Sequence, residues 1–177
     1  MAYCAPTLAG LKTGGLFRAQ GCVLDACKEA SFWDRALSSR GVRLKVLHRD
    51  RDSALIYAYR PAKLMEDLSH PAVRAFLIGC GYEQPDSMEA ALTTLSRRIR
   101  AREGFPHEIG LFLSYPLEDV LGFIRHNGRD FALCGCWKVY GDACSAARCF
   151  ARYKKCAQIY LRQFELGRSI HQLTVAA

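Results

Sequence analysis

Cys4 and His107 are the residues whose positions best suit nucleophilic chemistry. Cys4 stands at the start of a predicted helix, where free N–H groups and the helix dipole favour a thiolate. His107, followed by Glu108, stands at the entrance to a strongly apolar segment. A histidine that faces such a thiol can act as its base. The two residues predict a catalytic dyad, or alternatively a structural cysteine and a histidine that caps a strand.

A second candidate site is the turn that begins at Ser114 and Tyr115. Pro116 follows, and then the acids Glu118 and Asp119 in the first turn of a predicted helix. Strand-to-helix turns are where α/β sheets place ligands. The acids would repel an anion, so a cation or a hydroxyl-bearing ligand fits this turn, unless the acids only cap the helix.

A third candidate lies in the segment 136–141. A period of two residues places Cys136, Lys138 and Tyr140 on one face of a predicted strand. Lys138 and Tyr140 would form a pocket for an anionic or aromatic ligand if they converged with Lys12 or His107. The sequence thus offers three places for chemistry, and their convergence depends on the fold.

Hydrophobic periodicity and cap residues predict the elements of the N-terminal half. A first helix opens at Cys4, and Gly14 and Gly15 weaken or interrupt it. The other predicted elements are a helix at 23–39, a β-hairpin with strands at 42–49 and 54–60, and two short helices at 62–68 and 71–78.

The C-terminal half predicts an alternation of strands and helices. A capping box opens a helix at 86–102. The segment 109–115 is apolar on both faces, which predicts a central strand. A helix follows Pro116, a fourth strand spans 131–140, and a tail that forms a short strand or a docked coil ends the chain. A long helix at 142–166 presents a predicted buried stripe of Phe150, Tyr153, Ala157, Tyr160 and Phe164.

These elements predict a single domain over residues 1–177 in the α/β (or α+β) class. The expected architecture is a sandwich of helices on a mixed sheet of about four to five strands. It comprises an N-terminal helical part, the β-hairpin and a C-terminal strand-helix-strand-helix unit. The segment 109–140 is expected to form a right-handed βαβ crossover.

The composition describes a basic globular protein. The 177 residues include 25 Lys and Arg against 17 Asp and Glu, a net charge of +8. The basic residues cluster near 97–102 and 148–162, which fits solvated helix faces or binding of an anionic partner. Nucleic acid is disfavoured because no recognition motif accompanies the charge. Without a membrane-spanning run or a secretory signal, the chain is expected in the cytoplasm.

Nine cysteines are many for a chain of this length. The sequence contains no C-x-x-C pair, so we predict no metal site. In a reducing cytoplasm the thiols are expected to remain free. Cys149 and Cys156 lie on an apolar helical stripe and are expected to pack as small hydrophobic residues.

Four segments carry a resemblance to a known family. They read CAPTLAGLKT at 4–13, ALIYAYRP at 54–61, FPHEIGLFLSYPLEDVLGFI at 105–124 and CWKVY at 136–140. They resemble the bacterial family catalogued as domain of unknown function 3793, and the resemblance extends to LTVAA at the chain end. Ser114 stands where such proteins commonly have glycine. The resemblance implies no reaction, but it places in the family's motifs Cys4, Thr7, Lys12, His107, Glu108, Tyr115, Glu118, Asp119, Trp137, Lys138 and Tyr140.

Three functions of different classes follow from the sequence. The first is a small-ligand-binding module, with an anionic ligand near the first helix, the strand ends and Lys138. The second is a papain-like thiol hydrolase or transferase that uses Cys4 and His107. The third is an interaction protein that docks an acidic redox protein on the basic C-terminal helix around Arg152 and Lys155. The sequence identifies no cofactor.

Overall fold

A three-stranded antiparallel sheet lies at the centre of the N-terminal half. The computed structural model describes residues 4–101 and 105–176. Its first elements are α1 (Ala5–Leu8), β1 (Gly14–Gln20), α2 (Val23–Ser38), β2 (Arg43–Arg49) and β3 (Ser53–Tyr59). The strand order is β1-β3-β2, and both pairings are antiparallel. All seven residues of β3 are buried, as expected of a central strand.

Helices and one small hairpin form the C-terminal half. The hairpin pairs β4 with β5 in a two-stranded sheet. The elements are α3 (Pro61–Ser69), α4 (Pro71–Gly79), α5 (Met88–Arg100), α6 (Ile109–Phe112), α7 (Leu117–Arg125), β4 (Leu133–Cys134), β5 (Lys138–Val139), α8 (Ala143–Glu165) and α9 (Ile170–Leu173). The predicted α/β class is confirmed, with the strands divided between two sheets.

The two faces of the three-stranded sheet pack against different helices. Ile56 and Phe17, which pair across β3 and β1, pack with Ala30 of α2 on one face. Tyr57 points to the opposite face and joins the main core with residues of α3, α4, α5 and α6. Its hydroxyl donates to the Phe112 carbonyl at 2.5 Å. The sheet is therefore the middle layer of a helix-sheet-helix arrangement.

Most predicted helices and the hairpin are confirmed. The β2–β3 hairpin and α2 to α5 lie within a few residues of their predicted bounds. Ser87 caps α5 by accepting from the Ala90 amide, and Asp142 caps α8 by accepting from the Ser145 amide. The tail begins with the short helix α9, which has a capping box between Ser169 and Gln172, and continues as a coil that docks through the Val175 amide on the Leu8 carbonyl.

The predicted central strand at 109–115 is wrong. Residues 109–112 form α6, and Ser114 then adopts a left-handed backbone with φ of 59°. All four α6 residues are buried, and a short run that is apolar on every side fits a buried helix as well as a buried strand. Left-handed geometry suits glycine best, which agrees with the residue common in similar proteins at position 114.

The predicted fourth strand at 131–140 is also wrong in its extent. It contains the two short strands β4 and β5, which fold back on each other. The βαβ crossover is therefore absent from the described residues, and the strand-helix-strand-helix unit is replaced by helix, helix, hairpin and helix. Two-residue strands bury too little to show a period of their own.

Two smaller expectations need correction. Gly14 and Gly15 do not interrupt a helix but begin β1, where a Cβ at Gly14 would collide with the Tyr57 ring. On α8, Tyr153 and Cys156 are buried as expected, but Phe164 is 46% exposed. The last turn of α8 therefore lies outside the core, and α9 of the tail packs against this helix.

Arg60 ties the two ends of the described chain together. Its side chain, only 4% exposed, donates to the carbonyls of Thr7, Leu8 and Val175, each at 2.7 Å. The Val175 amide in turn donates to the Leu8 carbonyl at 3.0 Å. A guanidinium offers five donors in a fixed fork, which suits three carbonyls around one side chain.

Candidate functional site

A cavity of about 340 Å³ lies between α6, α7 and the β4–β5 hairpin. We call it the aromatic cavity. The lining residues that bear on its chemistry are Phe105, His107, Tyr115, Phe123, Trp137 and Lys138. The cavity brings together five residues that the sequence singled out, namely His107, Tyr115, Asp119, Trp137 and Lys138.

Ring-to-ring contacts fix the walls of the aromatic cavity. Tyr115 stacks on Trp137 with ring centroids 4.8 Å apart, and Trp137 meets Phe150 of α8 edge-on at 4.5 Å. His107 packs against Phe123 at 4.8 Å. The Tyr115 hydroxyl donates to the Cys136 carbonyl at 3.2 Å. These contacts hold the hairpin, α7 and α8 in one orientation, so the walls are largely formed in advance.

Asp119 holds the β4–β5 hairpin in place through three hydrogen bonds. Its side chain accepts from the Trp137 indole N–H at 2.7 Å and from the amides of Tyr140 and Gly141 at 2.7 and 2.9 Å. The residue is only 3% exposed. Three donors occupy this carboxylate, so its role is to position Trp137. Glu118, next to it, is exposed and lies against Gly141.

Two lysines flank the stacked rings. The Lys138 Nζ donates to the Gly128 carbonyl at 2.7 Å and lies 5.8 Å from the centre of the Phe123 ring. The Lys12 Nζ lies 5.3 Å from the Tyr115 ring centre and 6.0 Å from that of Tyr153. Within residues 4–101 and 105–176, neither lysine has a carboxylate within 4.0 Å. The Lys138 charge therefore faces a carbonyl and ring faces, and the Lys12 charge faces ring faces and cysteine thiols.

Burial changes the acid-base character of the groups around Lys12. Desolvation lowers the pKa of Lys12, and the nearby thiols of Cys136, Cys4 and Cys149 partly oppose that shift. Burial also raises the pKa of Tyr115 to about 12 and keeps its hydroxyl protonated. A half-buried cation without a counter-ion gains when an anion binds beside it.

The structure does not bring Cys4 and His107 together. Cys4 packs against Leu8 and Leu37 and lines a different cavity, whereas His107 is exposed beside the aromatic cavity. Burial raises the pKa of the Cys4 thiol to about 11, the opposite of the shift expected at a helix start. The four-residue α1 has little dipole to set against that desolvation.

The other predicted ligand residues lie outside the lining of the aromatic cavity. Thr7 is fully buried, and its hydroxyl has no hydrogen-bond partner among the described residues. Glu108 forms an ion pair with Arg98 and accepts from the Tyr82 hydroxyl at 3.2 Å, so it joins α5 to α6. Tyr140 stacks on His126 and packs on Gly122.

Sequence reasoning missed Phe105 and Phe123 as walls of the cavity. Phe123 lies one helical turn after Asp119 and Val120, and all three line the aromatic cavity. The available signal was that Phe123 follows Val120 by three residues and Asp119 by four, which places all three on one face of α7. This signal did not identify a cavity wall, because the neighbouring segment 109–115 was predicted to be a strand.

The fold and the site define an α/β protein whose most chemically distinctive feature is an aromatic cavity flanked by lysines. The chain belongs to the family described as "Protein of unknown function (DUF3793)", whose model matches residues 1–174. The comparisons with curated proteins and with solved structures gave no match. Over the described residues, no group of three or more His, Cys, Asp or Glu side chains is arranged to hold a metal ion. Nor does any described helix combine the length and the hydropathy needed to cross a bilayer.

Proposed function

We propose that this protein is a small-ligand-binding module that takes a planar aromatic anion in the aromatic cavity. The observation that carries the proposal is the pairing of stacked ring walls with lysines that have no carboxylate partner. Tyr115 and Trp137 offer ring faces on which a flat molecule can stack. Lys138 lines the cavity, Lys12 lies over the Tyr115 ring just outside the lining, and both attract a negative group.

The size and polarity of the cavity restrict the ligand further. The volume of about 340 Å³ falls at the lower end of small-molecule sites, which favours a ligand of one or two rings. Asp119 already accepts three hydrogen bonds and is buried, so it is a weaker partner for a cationic ligand than an unoccupied carboxylate would be. An anion instead relieves the uncompensated charge of Lys12 and Lys138.

Binding of 2-naphthoate, measured by calorimetry, tests this proposal against the uncharged analogue 2-naphthalenemethanol. We expect naphthoate to bind more tightly, and Lys138→Met to weaken its binding about tenfold through the loss of one charge-assisted contact. Lys154→Met on exposed α8 is the matched control, because it removes the same charge away from the cavity. Equal binding of both compounds, or no effect of Lys138→Met, would overturn the proposal.

Mass spectrometry of the intact protein, purified without oxygen, complements the titration. A retained aromatic anion that is lost from Phe123→Ala would support the assignment, since Phe123 forms one wall of the cavity. We also propose a cytoplasmic location. The nine free cysteine thiols support it, because a reducing compartment preserves them.

Docking of an acidic redox protein on α8 is the second candidate function. Five basic residues of α8 are exposed and form no ion pair with a described carboxylate, namely Arg148, Arg152, Lys154, Lys155 and Arg162. Such a face accelerates association with an acidic surface. Flavodoxin is a suitable probe, and its binding should weaken with salt and with the double change of Arg152 and Lys155 to Glu. Salt-independent or undetectable binding would exclude this function.

A further inference from the structure

A groove of about 720 Å³ runs between β1 and α2. Its β1 side is formed by the consecutive residues 16–20, and its α2 side by residues spaced three or four apart, among them Ala26, Ala30 and Trp33. Ile56 and Ala58 of β3 form its floor. We call it the edge groove, because it lies over the sheet face that packs on α2 and extends along β1, the edge strand.

The outer edge of β1 is unpaired within the described residues. β1 lies at one side of the sheet and pairs only with β3. The Arg60 amide donates to the Thr13 carbonyl, and the Gly21 amide donates to the Asp52 carbonyl, so odd-numbered residues of this strand face β3. The backbone groups of Leu16, Arg18 and Gln20 therefore point outward, into the edge groove.

The side chains of the groove set its chemistry. Ala26 and Ala30 on α2 leave room above the apolar floor, and Leu8 and Ile170 close one end. Glu29 of α2 also lines the groove, and its carboxylate has no cationic partner within 4.0 Å among the described residues. An occupant with apolar groups along its length and a positive charge opposite Glu29 would complement the groove.

We propose that an extended peptide with alternating apolar side chains and a basic residue opposite Glu29 adds to β1 as an additional strand in the edge groove. Outward N–H and C=O groups supply main-chain hydrogen bonds, and the apolar side chains of Phe17, Ala19 and Ala26 accept every second side chain. An unpaired edge of this kind is a ready template for another strand. This site shares no lining residue with the aromatic cavity, so it stands independently of the proposed function.

Selection of random heptapeptides by phage display on the native protein tests the proposal. The decisive pair of variants is Arg18→Pro and Arg18→Ala. Both lose the ion pair with Asp50, but only proline removes the outward N–H, and it leaves the ladder with β3 intact. We expect enrichment of peptides with alternating apolar residues that bind Arg18→Ala and bind Arg18→Pro about tenfold more weakly.

A second measurement keeps the test decisive if Arg18→Pro fails to fold. The best peptide is resynthesised with N-methyl groups on alternate residues, which block strand pairing on one edge but keep the side chains. One N-methylated version should lose binding to the unaltered protein, and the parent peptide should slow amide exchange at Leu16, Arg18 and Gln20. No enriched peptide, equal binding of all N-methylated versions, or a concentration-dependent dimer that pairs β1 with β1 would overturn the proposal.

Discussion

Replacing Arg60 by methionine should be among the most damaging single changes in the chain. The guanidinium is almost fully buried and has no carboxylate partner among the described residues, so three carbonyl oxygens hold it. Methionine fills a similar volume but removes three hydrogen bonds from a charged donor. The Thr7 and Leu8 carbonyls keep the amides of Gly10 and Val175 as donors, whereas the Val175 carbonyl is left without one among the described residues. At about 1.5 to 3 kcal/mol for each hydrogen bond from a charged group, less the relief of a buried charge, we expect a loss of about 3 to 5 kcal/mol.

Urea unfolding followed by circular dichroism measures this loss. Arg43→Met is the matched control, because Arg43 is half-exposed, pairs with Asp34 at 2.7 Å and should contribute under about 1 kcal/mol. Hydrogen exchange adds a local readout, since the Val175 amide should lose protection in Arg60→Met before the sheet does. An equal loss of stability in both variants, or a Val175 amide that remains protected in Arg60→Met, would contradict this role of Arg60.

Three further predictions concern thiol reactivity, packing and pH. With the other cysteines replaced, the rate of Cys4 alkylation should have its pH midpoint near 11 and should not change in His107→Ala. A midpoint below about 8.5 that depends on His107 would instead support the catalytic dyad. Phe150→Ala should cost about 3 kcal/mol in thermal unfolding because its ring packs on Trp137, against under about 0.5 for Arg152→Ala, and equal effects would contradict the packing. Burial opposes ionisation of Asp34, but hydrogen bonds from Arg43 and the Leu44 amide outweigh it and lower the pKa. The pKa of Asp34 in the folded protein thus lies below the unfolded value of about 3.9. The parent should therefore lose stability relative to Asp34→Asn as the pH falls below about 4. A difference in unfolding free energy between the two proteins that does not change with pH would refute this.

The hairpin and the capped helices could be predicted because their signals are local. Alternation along 42–49 and 54–60, the side chain of Ser87 and that of Asp142 each act within a few residues of their own position. The segment 109–115 carries no such signal, since it is apolar on every face and its conformation depends on the surrounding core. β1 was missed for a related reason. Glycine is required at position 14 because a Cβ there would collide with the Tyr57 ring of the neighbouring strand, a contact that is not local in sequence.

The candidate site was predictable in part. Lys138 and Tyr140 were expected to form a pocket if they converged with Lys12 or His107, and the structure brings Lys138 and His107, but not Lys12 or Tyr140, to the lining of the aromatic cavity. The pairing of Cys4 with His107 rested on a helix start facing a strand start, and position 107 precedes a helix instead. The sequence could not reveal the roles of Arg60 and Asp119, because each binds backbone groups that are distant in the chain.

The contact between Leu8 and Val175 has a consequence for synthesis on the ribosome. It joins residues separated by almost the whole chain, and Arg60 must already be in place between them. The first helix can therefore dock fully only after residue 175 has been synthesised. Until then, Cys4 and the apolar end of the edge groove lack their cover from Ile170. The nascent chain exposes this surface until then, so we expect chaperones to engage it.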